Sequence, residues 1–88
     1  MNWGLVRQQY PDRLVVVEAL ATSSKDRIRI VEDMSIISTF DNSIEAWETY
    51  KRLHKENPDK ELYVFHTSKI KPEVIEKFFI GVRGRKWN

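Results

Sequence analysis

Two runs of this chain are apolar at successive positions, Leu14-Val15-Val16-Val17-Glu18-Ala19-Leu20-Ala21 and Leu62-Tyr63-Val64-Phe65. A strand with one wet face alternates with period two, and a strand covered on both faces does not. Both runs therefore read as strands buried front and back, the first over about 13–21 and the second over 61–67. One helix covers one side of such a sheet. The other side needs further chain or a second subunit.

Helical spacing and turn residues supply the remaining elements. Trp3, Val6 and Tyr10 form the stripe of a short helix over 2–10, with Asn2 as its cap, and Pro11-Asp12 ends it. Thr22–Asp26 reads as a polar loop. Arg27-Ile28-Arg29-Ile30 alternates, Glu32-Asp33 interrupts, and Met34–Phe40 is rich in β-formers. This stretch is either one long strand bent by a bulge or two strands broken at the acids; we favour a single irregular strand, antiparallel to the first, with its ordered centre at 34–40. Asp41-Asn42-Ser43 offers caps for a helix over 43–56. Ile44, Ala46, Trp47, Tyr50 and Leu53 share one half of its wheel, and Glu48→Arg52 is a favourable pair on the other. Asn57-Pro58-Asp59-Lys60 is a turn. Lys71-Pro72-Glu73 reads as a helix start, after which either Val74, Ile75, Phe78 and Phe79 form one short helical face or Phe78-Phe79-Ile80-Gly81-Val82 forms a fourth strand; we read a brief helical turn followed by an extended segment.

Together these elements predict an α+β fold with a mostly antiparallel sheet of three to four strands. The strand–helix–strand connection sets its two strands parallel, so the core order is 2-1-3. The helix at 43–56 lies on one face. The N-terminal helix, the C-terminal aromatic segment and a second copy are the candidates to cover the other.

Eighty-eight residues make one domain. With no cysteine, disulfides and thiolate metal sites are excluded, which fits a reducing cytoplasm. The first residues lack the pattern of a secretory signal, and no run approaches the roughly 20 apolar residues of a membrane span. The net charge of +2 is unevenly spread. Residues 1–68 hold 9 Lys/Arg and 11 Asp/Glu, whereas 69–88 hold 6 and 2. The excess sits in a basic tail at 83–88, a candidate disordered end, where Arg83, Arg85 and Lys86 are placed to touch phosphate. Such tails are more often only solvated.

Few residues invite chemistry. Glu18 interrupts an apolar strand, and by period-two counting it shares a face with Leu14 and Val16, while His66 shares one with Leu62 and Val64. If the strands are adjacent the two meet as an acid/base pair, although a rim glutamate with an ordinary hydrogen bond is the commoner outcome. His66-Thr67-Ser68 has a base and two hydroxyls but no glycine nearby for an oxyanion hole. His54 and His66 lack zinc-site spacing, so neither metal nor cofactor is expected. Tyr63 and Phe65 on one strand face suggest a stacking platform for bases. The neighbouring Val15, Val17 and Ala19 are dry, which fits a buried face or a dimer contact better.

The layout of Trp3, Tyr10-Pro11, Leu14–Ala19, a second strand, a capped helix and Glu61–Phe65 resembles short prokaryotic α+β domains of unknown function. The likeness covers about residues 3–67. It implies the strand–strand–helix–strand fold and an intracellular bacterial setting, and it transfers no catalytic residue. The resulting expectation is a non-enzymatic cytoplasmic domain that acts through protein contacts, as a homodimer and as an accessory or antitoxin-like partner. The alternative is a nucleic-acid-binding protein using the basic tail.

Overall fold

The computed structural model describes residues 1–76. It contains α1 (Trp3–Gln9), β1 (Leu14–Lys25), β2 (Ile28–Phe40), α2 (Ser43–Glu56), β3 (Leu62–His66) and β4 (Glu73–Ile75). The sheet is antiparallel throughout, in the order β3-β1-β2-β4. Read from the other edge, this is the expected 2-1-3 core with a fourth strand added beyond β2. Both helices start where their caps predict. The Asn2 side chain accepts the Leu5 N–H at 2.9 Å, and that of Asn42 accepts those of Ile44 (2.7 Å) and Glu45 (3.2 Å). Arg52 pairs with Glu56 at 3.9 Å rather than with Glu48.

The chain covers its own central strand. Val15, Val16 and Val17 are all fully buried. Val15 and Val17 belong to a core with Trp3, Val6, Val31, Met34 and Phe65, so α1 is the lid on that face. Trp3 meets Phe65 edge-on at 5.4 Å and its indole N–H donates to the Lys69 carbonyl at 2.8 Å. Arg7 Nε donates to the Thr67 carbonyl at 2.9 Å, a second tie between α1 and the chain leaving β3. Val16 points the other way, under α2, whose buried residue is the small Ala46. The double-sided strand therefore does not by itself require a second copy.

The β1–β2 hairpin departs most from expectation. Strand structure continues through the expected loop at 22–26, and β2 begins at Ile28. The link is a two-residue turn at Asp26 (φ 53°) and Arg27 (φ 65°). Positive φ at both central residues matches the right-handed twist of a hairpin, usually with Asn-Gly in those places. Register shifts interrupt the ladder in three places and leave Leu20, Glu32 and Ile37 without a pairing partner. Such bulges turn the extra side chain outward and bend the strand. Leu20 is accordingly 56% exposed and Ile37 41%, and unbroken period-two counting fails at both.

The bend carries the far half of the hairpin over the α1 face. There Val31 joins the core and Val74 of β4 packs against it. The expected helical turn at 71–73 is instead extended. Val31 N–H donates to the Pro72 carbonyl at 2.9 Å and starts the β2–β4 ladder, which suits a proline that has no N–H of its own. The expected segment at 78–82 and the basic tail lie outside the described residues. Among the described residues, no helix is long and apolar enough to cross a membrane.

Truncating the lid tests this account. Trp3→Ala should lower stability by about 3–5 kcal/mol, a large-to-small change in a closed core. Asn42→Ala should cost about 1 kcal/mol through loss of a cap. Ile44→Ala on the exposed side of α2 should stay within about 0.5 kcal/mol. Urea denaturation of the three variants would measure all of these.

Candidate functional site

Helix α2 sits on the sheet along Ala46, Thr49, Tyr50 and Leu53, but its apolar arc runs further round. Ile44 is 67% exposed and Trp47 47%. Trp47 meets Tyr50 edge-on at 5.4 Å, and the Tyr50 and His54 rings stack at 5.8 Å. The result is an aromatic flank on a surface helix. On the opposite flank Phe40, Glu45, Glu48, Thr49 and Arg52 line an open groove of about 460 Å³ that is charged rather than apolar.

The aromatic flank overlooks β3, a terminal strand of the sheet. Trp47 and Tyr50 on one side, Leu62, Tyr63 and Val64 on the strand, and Val74 beyond line a groove of about 130 Å³. The backbone phase of this edge follows from two bonds. Ala19 N–H donates to the Glu61 carbonyl and Thr67 N–H to the Arg13 carbonyl, each at 2.8 Å. In an antiparallel pair, bonded and non-bonded positions alternate. Tyr63 and Phe65 therefore spend their backbone groups on β1, and the peptide groups of Leu62, Val64 and His66 point to the open side.

At the head of β3 the curled hairpin is clipped down. Arg29 donates from Nε and Nη2 to the two oxygens of Glu61 (2.5 and 2.8 Å), and the Tyr63 hydroxyl donates to the same carboxylate at 2.5 Å. Arg29 also reaches Ser24 at 3.2 Å and Glu76 at 3.7 Å. The guanidinium hydrogen bonds hold the Glu61 carboxyl below its ordinary range. Burial first, and then the bond to Glu61, push the Tyr63 hydroxyl up to about 12. The hydrogen bond to Glu61 also raises the Arg29 guanidinium. A fork-on-carboxylate pair of this kind is held in both orientation and charge.

The residues that the sequence singles out do not converge. Glu18 lies opposite Leu62 and His66 opposite Leu14. They share a sheet face as counted, but four strand positions separate them, roughly 13 Å at the usual rise. Glu18 instead faces Lys60 at 3.7 Å. His66 Nδ1 takes the Ser68 N–H (3.1 Å) and lies 2.7 Å from its hydroxyl, while Nε2 is 3.8 Å from the exposed Asp12. Thr67 is buried, and its hydroxyl accepts the Arg13 N–H at 3.0 Å. Tyr63 and Phe65 stack at 5.7 Å, but Trp3 covers Phe65, so the pair is no open platform for bases. Arg83, Arg85 and Lys86 lie outside the described residues. Arg29 and Glu61 escaped the sequence reading, because only the curl of the hairpin brings them together.

Glu61→Gln should cost about 1–2 kcal/mol near neutral pH through loss of the charge-assisted bonds. The Glu61 carboxyl titrates lower in the folded than in the unfolded chain. Its stabilisation is therefore complete above its ordinary value of 4.5 and fades as pH falls through the folded value. The variant should lose less stability than the natural chain between about pH 5 and 3, as read from urea midpoints at each pH.

Compared with protein-family models, curated proteins and solved structures, the chain matches none.

Proposed function

We propose that this chain works through protein–protein contact and self-associates, rather than through catalysis. One observation carries the reading: an exposed aromatic and aliphatic flank on α2, with Ile44 and Trp47 uncovered, borders a strand edge whose outward peptide groups meet no neighbouring strand among the described residues. Single exposed apolar residues are ordinary. A tryptophan and a tyrosine lining an apolar groove, with an exposed isoleucine one turn before the tryptophan on the same helix, form the kind of patch on which interfaces centre. The charged opposite flank of the same helix gives the surface a direction.

Chemistry has less support. Glu18 and His66 are apart, and the Asp12, His66 and Ser68 group is a solvent-facing turn whose imidazole nitrogen is occupied by the backbone of Ser68. Nucleic-acid binding would rest on the basic tail, and no feature of residues 1–76 favours it. A cytoplasmic setting and an accessory or antitoxin-like role belong to this proposal and rest on the sequence alone.

Sedimentation velocity across the micromolar range should show reversible self-association. Trp47→Glu should weaken it roughly tenfold or more, as expected for a central aromatic anchor, with the far-UV circular dichroism unchanged. A natural chain that sediments as a strict monomer at high micromolar concentration would overturn the reading.

A further inference from the structure

The two edges of the sheet are built differently. β4 is three residues long, follows Pro72, begins with Glu73 and is flanked by Lys71 and Glu76. Brevity, proline and charge are the means by which proteins keep an edge from pairing. β3 has none of them. Leu62-Tyr63-Val64-Phe65-His66 contains no lysine, proline or carboxylate, and its ladder with β1 is regular. Among the described residues no strand pairs with its outward peptide groups, which stand beside an apolar groove.

We propose that this edge pairs antiparallel with β3 of a second copy, with Val64 on the two-fold axis, a geometry that rests on the self-association argued above. The strand is self-complementary about that point. Its three outward residues are Leu62, Val64 and His66, and the only antiparallel register that uses all three sets Leu62 against His66 and Val64 against Val64. Tyr63 then lies across from Phe65 on the other face, an aromatic cross-strand pair. Beyond the strand, Asp59 faces Lys69, Lys60 faces Ser68 and Glu61 faces Thr67, so opposite charges meet at the ends and no like charges oppose. The His66 carbonyl already accepts the Lys69 N–H at 3.0 Å, and its second lone pair stays available. The symmetry brings the two α2 helices together along Trp47 and Tyr50, which the groove places on the β3 side. An isologous two-fold contact of this kind closes on itself as a dimer.

Two measurements test the pairing. Val64→Pro removes an outward N–H and leaves the β1–β3 ladder its bonds, so it should weaken self-association roughly tenfold or more in sedimentation. Amide exchange of the natural chain needs no substitution. Leu62, Val64 and His66 should exchange at least roughly tenfold more slowly at high than at low protein concentration, and Ile75 on the opposite edge should not. If Val64→Pro fails to fold, the exchange result decides. Self-association that survives Val64→Pro in a folded variant, or that leaves the Leu62 and Val64 amides unprotected, overturns edge pairing but spares association through α2. A natural chain that stays monomeric overturns both.

Discussion

Everything in this molecule is arranged around three successive valines with nowhere to meet water. Val15 and Val17 need a lid on one face and Val16 needs one on the other, and the chain provides α1 and α2 for those faces. The need for two lids explains the strand–helix crossover. With α2 passing over β1, the next strand arrives at the far edge, antiparallel to β1 and parallel to β2. The anchoring of α1 by Trp3 and Arg7 to the chain just past β3 follows from the same requirement.

The features written locally were legible. Asn2 and the Asp41-Asn42-Ser43 cluster announce their helices, and the uninterrupted apolar runs announce strands with two dry faces. What stayed hidden depends on pieces that fold over one another. The hairpin turn has Asp26-Arg27 where glycine would have flagged it. Leu20, Glu32 and Ile37 are extra residues that no hydropathy pattern separates from ordinary strand positions. β4 is too short to carry a period. Glu18 and His66 show the limit most plainly, since parity gave their shared face while only register gives their distance. The apolar arc of α2 is visible as a stripe, but a stripe does not say which part of it the sheet will take, and the sheet takes Ala46, Tyr50 and Leu53 while leaving Ile44 and Trp47 exposed.

Hydrophobic and electrostatic parts have separate jobs here. Burial of the valines, Trp3, Met34 and Phe65 supplies the bulk of the cohesion. The Arg29–Glu61–Tyr63 group lies at a partly exposed margin and adds little to that total. It fixes instead where the bent hairpin comes to rest, because a bidentate guanidinium tolerates little rotation. In that position Val74 completes one wall of the groove beside β3, so the shape of the candidate surface depends on a polar contact at its rim.

The crossover also orders events during synthesis. β1 and β2 leave the ribosome together and pair through a short turn, but β3 begins 48 residues after β1 does. Until then Val16 has no neighbour on one side and only a nascent α2 above it. Contacts so distant along the chain form late, and a half-covered valine strand is the kind of surface that invites wrong partners. The same topology that buries β1 so thoroughly at the end leaves it most vulnerable at the beginning.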